Sequence, residues 1–202
     1  MQSCWIFGGA PFCGSVLIPD DAYIIAADSG YNTVKKLGFT PNLTLGDFDS
    51  LDKKPECGEI MTVAAEKDDT DTMLAVKTAL DRGYTDISIV GAIGGRLDHT
   101  FANIQTLAYI LQHDGFGRLI GENDTVELLN VGEYSYERKD GMYLSLFAYG
   151  EYAVLTSCGT KYDLTKYILD NTFPLGVSNE IIADKCSISV HKGQLLVIFS
   201  KK

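Results

Sequence analysis

Clustered positive charge is what this 202-residue chain most plainly lacks. Its 17 Lys and Arg face 27 Asp and Glu, for a formal net charge of -10, and no basic run exceeds two residues. A polyanion is ordinarily met by grouped Lys and Arg, so nucleic acid is not expected as a partner. Long apolar runs are missing too: nothing approaches the roughly 18 consecutive residues of a membrane-spanning helix, and no membrane partner is expected. The start, Met1-Gln2-Ser3-Cys4-Trp5, has no basic segment and breaks at Gly8-Gly9, which reads as a first strand rather than a secretory signal. The five cysteines, Cys4, Cys13, Cys57, Cys158 and Cys186, form an odd set with no C-x-x-C pair. Neither a disulfide framework nor structural zinc is expected. The five read as small buried hydrophobes, and the expected location is cytoplasmic.

What is present is a hydrophobic fraction of 46%, enough to fill the core of one domain or two small ones. The acids are unevenly spread, with 15 of the 27 between Asp20 and Asp98. Through residue 122 the chain alternates β-rich runs (4–7, 23–27, 42–45, 60–64, 87–90, 118–120) with helical segments (32–37, 70–82, 98–112). Apolar runs bounded by Gly and Asp, joined by helices, predict a mostly parallel α/β sheet. After residue 122 the runs are β-like (125–131, 134–138, 143–149, 153–157, 186–191, 194–200), with one helical hint at 164–170. His191-Lys192-Gly193-Gln194 reads as a tight turn between the last two strands. The expected organisation is an α/β domain at 1–122 followed by an all-β domain at 123–202.

In an open α/β sheet, ligands collect where the strands end at their carboxyl side. Strand 23–27 runs into Asp28-Ser29-Gly30, strand 42–45 into Gly46-Asp47-Phe48-Asp49-Ser50, and strand 60–64 into Glu66-Lys67-Asp68-Asp69-Thr70-Asp71. Taken singly, these are turn and helix-cap residues. Asp-x-Asp beside Asp-Asp-x-Asp is a different matter, because neighbouring carboxylates repel unless a cation lies between them. Oxygen donors without Cys point to a hard ion, Mg²⁺ before Ca²⁺ or Mn²⁺, usually completed by substrate phosphates. A fourth loop, Gly91-Ala92-Ile93-Gly94-Gly95-Arg96, offers close backbone approach, a planar cationic fork and a helix N-terminus for phosphate. It is not the P-loop pattern.

These loops together resemble the four ordered signatures of the thiamine pyrophosphokinase family: Asp28-Ser29-Gly30, Gly46-Asp47-Phe48-Asp49-Ser50, Lys67-Asp68-Asp69-Thr70-Asp71 and Gly94-Gly95-Arg96-Leu97-Asp98-His99. Gly159-Thr160-Lys161-Tyr162-Asp163-Leu164 and Gly176-Val177-Ser178-Asn179-Glu180 are similar to that family's thiamine-side motifs, so the likeness covers almost the whole chain. The resemblance implies transfer of a pyrophosphoryl group from ATP to the hydroxyl of thiamine, giving thiamine diphosphate and AMP. It also implies Mg²⁺, an α/β nucleotide-binding domain, a thiamine-binding and dimerising β-sandwich, and a homodimer with thiamine sites between subunits. Carried across, Asp47, Asp49 and Asp71 would hold the metal and, with Arg96, serve catalysis. Asp28, Ser29, Gly30, Lys67 and Asp68 would serve the nucleotide, as would Thr70, Gly94, Gly95 and Arg96. Asp98 would meet the aminopyrimidine of thiamine, Tyr162 from the partner subunit would stack on its rings, and Ser178 and Asn179 would shape the same pocket. Tyr162 stands where many members carry Trp. The base stays open among the carboxylates, and two alternatives remain: a pyrophosphokinase acting on another alcohol such as a hydroxymethylpterin, or a non-catalytic thiamine diphosphate or nucleotide sensor.

Overall fold

The structure, a computed structural model, describes residues 2–49, 55–64 and 68–202. Contacts along the backbone divide the chain into two compact units, Met1–Glu122 and Asn123–Lys202.

In the first unit, β1 (Ser3–Phe7), β2 (Tyr23–Ala27), β3 (Leu43–Gly46), β4 (Glu59–Thr62), β5 (Asp86–Val90) and β6 (Phe116–Ile120) form one parallel sheet in the order β6-β5-β1-β2-β3-β4. β1, β2, β3 and β5 are buried on both faces apart from their first residues, as expected of strands covered by helices. The covering helices are α1 (Gly30–Lys36), α2 (Asp71–Asp81) and α3 (Leu97–Gln112). α2 starts where its sequence says it should: the Thr70 side chain accepts from the Met73 N–H at 3.1 Å, closing one of the orphan donors of the first turn. It stops at Gly83, whose φ of 86° suits only a residue without Cβ. Trp5, Phe7, Phe12, Ile24, Ala26, Val34 and Val90 form a core cluster between β1, β2, β5 and α1.

The second unit is all strand: β7 (Asp124–Leu129), β8 (Gly132–Glu137), β9 (Met142–Cys158), β10 (Leu164–Asp170) and β11 (Lys185–Lys201). Two expectations are corrected here. The helical hint at 164–170 is strand β10, paired antiparallel to Tyr152–Ser157 of β9 with an irregularity at Lys166, whose φ is 43°. Pairing along β9 overrides the weak local preference of Leu-Thr-Lys-Tyr-Ile-Leu-Asp. His191-Lys192-Gly193-Gln194 is not a hairpin turn; β11 runs straight through it and pairs with β9 on both sides, with register shifts around Lys192. Gly193, at φ 75°, makes a bulge, and a Cβ there would overlap the Tyr152 carbonyl oxygen. The runs 143–149 and 153–157 are likewise one strand, β9, which passes through Gly150 at φ 95°. Of the five cysteines, only Cys4 and Cys186 are buried; Cys13 and Cys158 are exposed. Among the described residues, no helix is long and apolar enough to cross a membrane.

Candidate active site

Parallel register sets the carboxyl ends of four strands of the first unit at one level. Phe7 on β1 pairs with Ala26 on β2 and with Val90 on β5, and Ala27 pairs with Leu45 on β3. The chain continues that alignment beyond the strands: Gly8 N–H donates to Val90 O at 2.8 Å, Ala10 N–H to Gly91 O at 2.9 Å and Asp28 N–H to Leu45 O at 2.7 Å. The loops so held line a cavity of about 550 Å³, together with the N-terminal turns of α2 and α3.

The cavity is walled on one side by carboxylates. Asp28, Asp47, Asp69 and Asp71 all line it. Asp28 sits at φ 48°, a conformation few non-glycine residues adopt, and Gly46 at φ 153° packs so close that a Cβ there would come within 3.1 Å of the Asp28 Cα. Asp47 Oδ1 accepts from Asp49 N–H at 3.1 Å in an Asx turn, with Phe48 between them at φ 62°. Asp71 opens α2, where the helix dipole favours negative charge. Asp69 is different: Lys77, two turns into α2, grips both its oxygens at 2.8 and 2.7 Å. That ion pair holds the Lys77 ammonium above its ordinary range and gives Asp69 a cationic partner from α2.

The opposite wall is Gly91, Ala92, Gly95 and Arg96 of the β5–α3 loop, with His99, Thr100 and Asn103 of α3. Arg96 precedes α3 and forks onto Asp98, Nε to Oδ1 at 3.1 Å and Nη2 to Oδ2 at 2.5 Å. Both side chains are exposed, so the pair contributes little to stability and can open toward a ligand. The Arg96 fork, and secondarily the His99 N–H, hold the Asp98 carboxyl below its ordinary range. A depressed value in the folded chain means the carboxylate form persists as pH falls past the unfolded range near ~3.9, and the pairing dissolves only below that. Carbon-detected NMR titration should place the Asp98 midpoint below the ordinary carboxylate range, and Arg96→Ala should raise it; a midpoint that Arg96→Ala leaves unmoved contradicts the fork.

Of the residues singled out from sequence, Asp28, Ser29, Asp47, Thr70, Asp71, Gly95 and Arg96 line the cavity. Asp49, Asp68, Gly94 and Asp98 are exposed and are not among its lining residues, and Gly30 is buried beneath the start of α1. Lys67 and Ser50 lie outside the described residues. Tyr162, Ser178 and Asn179 belong to the second unit, where Tyr162 and Ser178 are exposed and Asn179 is buried. Sequence reasoning passed over Asn103. Its Nδ2 donates to Ala92 O at 2.6 Å, pinning the glycine-rich loop to α3. The signal was available, since Asn103 is a polar residue on the same helical face as buried Thr106, Leu107 and Ile110.

Among the described residues no three Asp, Glu, His or Cys side chains stand close enough to hold an ion by themselves. The acidic side chains that line the cavity, Asp28, Asp47, Asp69 and Asp71, nevertheless offer only oxygen donors. They suit a hard cation that retains water and takes further ligands from phosphate.

The comparisons with known proteins fall on this same arrangement. Residues 15–115 match the family model described as thiamin pyrophosphokinase, catalytic domain, and residues 133–195 match thiamin pyrophosphokinase, vitamin B1 binding domain. The chain belongs to the thiamin pyrophosphokinase family. Thiamine pyrophosphokinase of Bacillus subtilis (strain 168) is 33% identical over 184 residues, covering 87% of this chain and 86% of that protein. A crystal structure of thiamine pyrophosphokinase from Bacillus subtilis superposes with a TM-score of 0.92 at 28% identity, covering all of both chains. One from Geobacillus thermodenitrificans gives 0.87 at 27%, covering all of this chain and 98% of the other. Within the thiamin pyrophosphokinase family model, the catalytic match contains every residue of the cavity wall from Ala27 to Asn103.

Proposed function

We propose that the chain is a thiamine pyrophosphokinase, moving the terminal pyrophosphoryl group of ATP to the hydroxyl of thiamine. The observation that carries this reading is the cavity itself: three strand-end loops bearing carboxylates face a glycine-rich loop that ends in Arg96 at a helix N-terminus. In this reaction the hydroxyl oxygen of thiamine bonds to the β-phosphorus. The bond from that phosphorus to the oxygen bridging it to the α-phosphorus breaks, AMP leaves with that oxygen, and the hydroxyl proton passes to a carboxylate of the cavity.

Asp47, Asp49 and Asp71 are the residues assigned to a Mg²⁺ ion, which when bound supplies charge neutralisation for the polyphosphate. The glycine loop approaches phosphate oxygens through its backbone, with Gly94 and Gly95 leaving that face free of side chains. Arg96 exchanges one partner for another, from Asp98 to phosphate, and so releases Asp98 toward the aminopyrimidine of thiamine. Asp28, Ser29, Lys67, Asp68 and Thr70 complete the nucleotide side. Gly30 belongs to it by letting α1 begin against β1. The location assigned is the cytoplasm.

The second unit is read as a β-sandwich that takes the thiamine rings and forms a homodimer. Supporting the sandwich, Tyr136 on β8 meets Phe199 of β11 edge to face with centroids 5.3 Å apart, and donates to Glu127 on β7 at 2.7 Å. β8 pairs with the first half of β11 and β7 with the second, so these contacts pass between layers rather than along one. Supporting a subunit contact, Ile168, Phe173, Leu175, Val177 and Ile182 are exposed on this unit. Isothermal titration with Mg²⁺ and a non-hydrolysable ATP analogue tests the acceptor. Thiamine should bind saturably and a hydroxymethylpterin should not; the reverse would transfer the assignment to a pterin pyrophosphokinase.

A further inference from the structure

Tyr162 is 63% exposed, yet both polar groups of its main chain are hydrogen-bonded to a single side chain. Its N–H donates to Asn179 Oδ1 at 3.1 Å, and its carbonyl accepts from Asn179 Nδ2 at 2.9 Å. One amide side chain thus grips both polar groups of one residue 17 positions away. Asn179 is itself fixed: it is 7% exposed, its Oδ1 also accepts from Glu180 N–H at 2.8 Å, and its carbonyl accepts from Leu144 N–H at 2.7 Å. Around the same loop, Asp163 Oδ1 accepts from Thr160 N–H at 2.8 Å and Lys161 N–H donates to Glu180 O at 2.8 Å. The Thr160 hydroxyl lies within reach of both Tyr162 O, at 3.0 Å, and Asp163 Oδ1, at 2.8 Å.

The exposed ring has Lys161 Nζ 5.7 Å from its centroid, while its backbone is held by Asn179. An exposed ring on a held backbone is useful where it must meet a flat ligand, since ordering it in advance removes an entropic cost from binding. The Asn179 amide has both bonding atoms committed to main chain, which leaves it poorly placed to recognise a ligand directly.

We propose that Asn179 is a positioning residue for the acceptor: it clamps the Tyr162 main chain and so fixes the direction in which the phenol side chain leaves the backbone toward a planar cationic heterocycle. This rests on the reading of Tyr162 as the surface on which thiamine stacks. Asn179→Ala should then raise the KM for thiamine about tenfold, as coupled neighbours do, with the KM for ATP and the kcat at saturating thiamine near parental values. Asn179→Asp keeps the Oδ1 acceptor but sets an oxygen against the Tyr162 carbonyl, and should give the same split while retaining a fold-supporting bond if the alanine variant is unstable.

Two measurements separate positioning from direct contact and from mere loop closure. In a Tyr162→Ala background, adding Asn179→Ala should change the thiamine KM less than twofold; a further tenfold loss would mean that Asn179 touches thiamine and would overturn the proposal. Tyr162→Trp places an exposed indole in a chain whose one native tryptophan, Trp5, is buried. Its emission anisotropy should fall when Asn179→Ala is added, and quenching by thiamine should need about tenfold more ligand. Unchanged anisotropy overturns the positioning role alone. A parental thiamine KM in Tyr162→Ala overturns the stacking reading, and the proposal with it.

Discussion

Asp71→Asn should lower thiamine-dependent release of AMP from ATP by about 10²–10³-fold, the usual scale for removing one preorganised charge-stabilising group. The substitution keeps shape and hydrogen-bonding capacity at the first residue of α2 and removes only the charge. Thr70 still caps the helix through Met73 N–H, so unfolding temperature should stay near that of the parent. The effect is assigned to the site because Asp71 lines the cavity with Asp28 and Asp47. It is the carboxylate of the Asp-Asp-x-Asp segment that opens the helix, while Asp69 is neutralised by Lys77. Turnover within a fewfold of parental would remove Asp71 from the catalytic group.

A large effect on folding is expected at Gly30. It begins α1 directly against the end of β1, and a Cβ there would overlap the Phe7 carbonyl oxygen and press on Gly8 N at 3.1 Å. Neither neighbour is a side chain that can rotate away, and β1 is the central partner of β2 and β5. Gly30→Ala should therefore cost about 3 kcal/mol, a fall in melting temperature of roughly 6–12 °C. Gly38 provides the comparison: it has a positive φ of 83°, which Gly30 does not, but a Cβ there meets nothing within 4 Å. Gly38→Ala should cost only about 1–2 kcal/mol, the strain of the left-handed conformation. Equal losses in urea unfolding of the two variants would contradict the close approach of α1 to β1.

Much of the first unit is legible in the sequence, because β1, β2, β3, β5 and β6 are short apolar runs closed by Gly or Asp, with β4 the exception. Once the sheet is parallel, the residues after each run must share an edge. That is why Asp28, Asp47 and Asp71 were legible as one group although they span 43 positions. What sequence could not show is which carboxylates already have a cation. The Asp69 to Lys77 bond spans eight residues and depends on the path of the chain into α2. Nor could it show that Arg96 and Asp98, assigned to different substrates, hold each other.

The second unit was harder for a specific reason. Gly150 and Gly193 look like turn residues but are bulges within strands of 17 residues each. Glycine at positive φ serves both purposes, and only the partner strand decides between them. The Asn179 clamp on Tyr162 is equally invisible, since the two residues lie in separate motifs whose meeting depends on pairing between Leu144 and Asn179 and between Thr160 and Ile181.

Of the 15 acids between Asp20 and Asp98, Asp28, Asp47, Asp69 and Asp71 line one cavity. The most direct measurement of the central claim is product analysis after incubation with ATP, Mg²⁺ and thiamine. Thiamine diphosphate and AMP should accumulate in equal amounts, with neither formed when thiamine is omitted. ADP as the only nucleotide product would show transfer of a single phosphoryl group and would contradict the account.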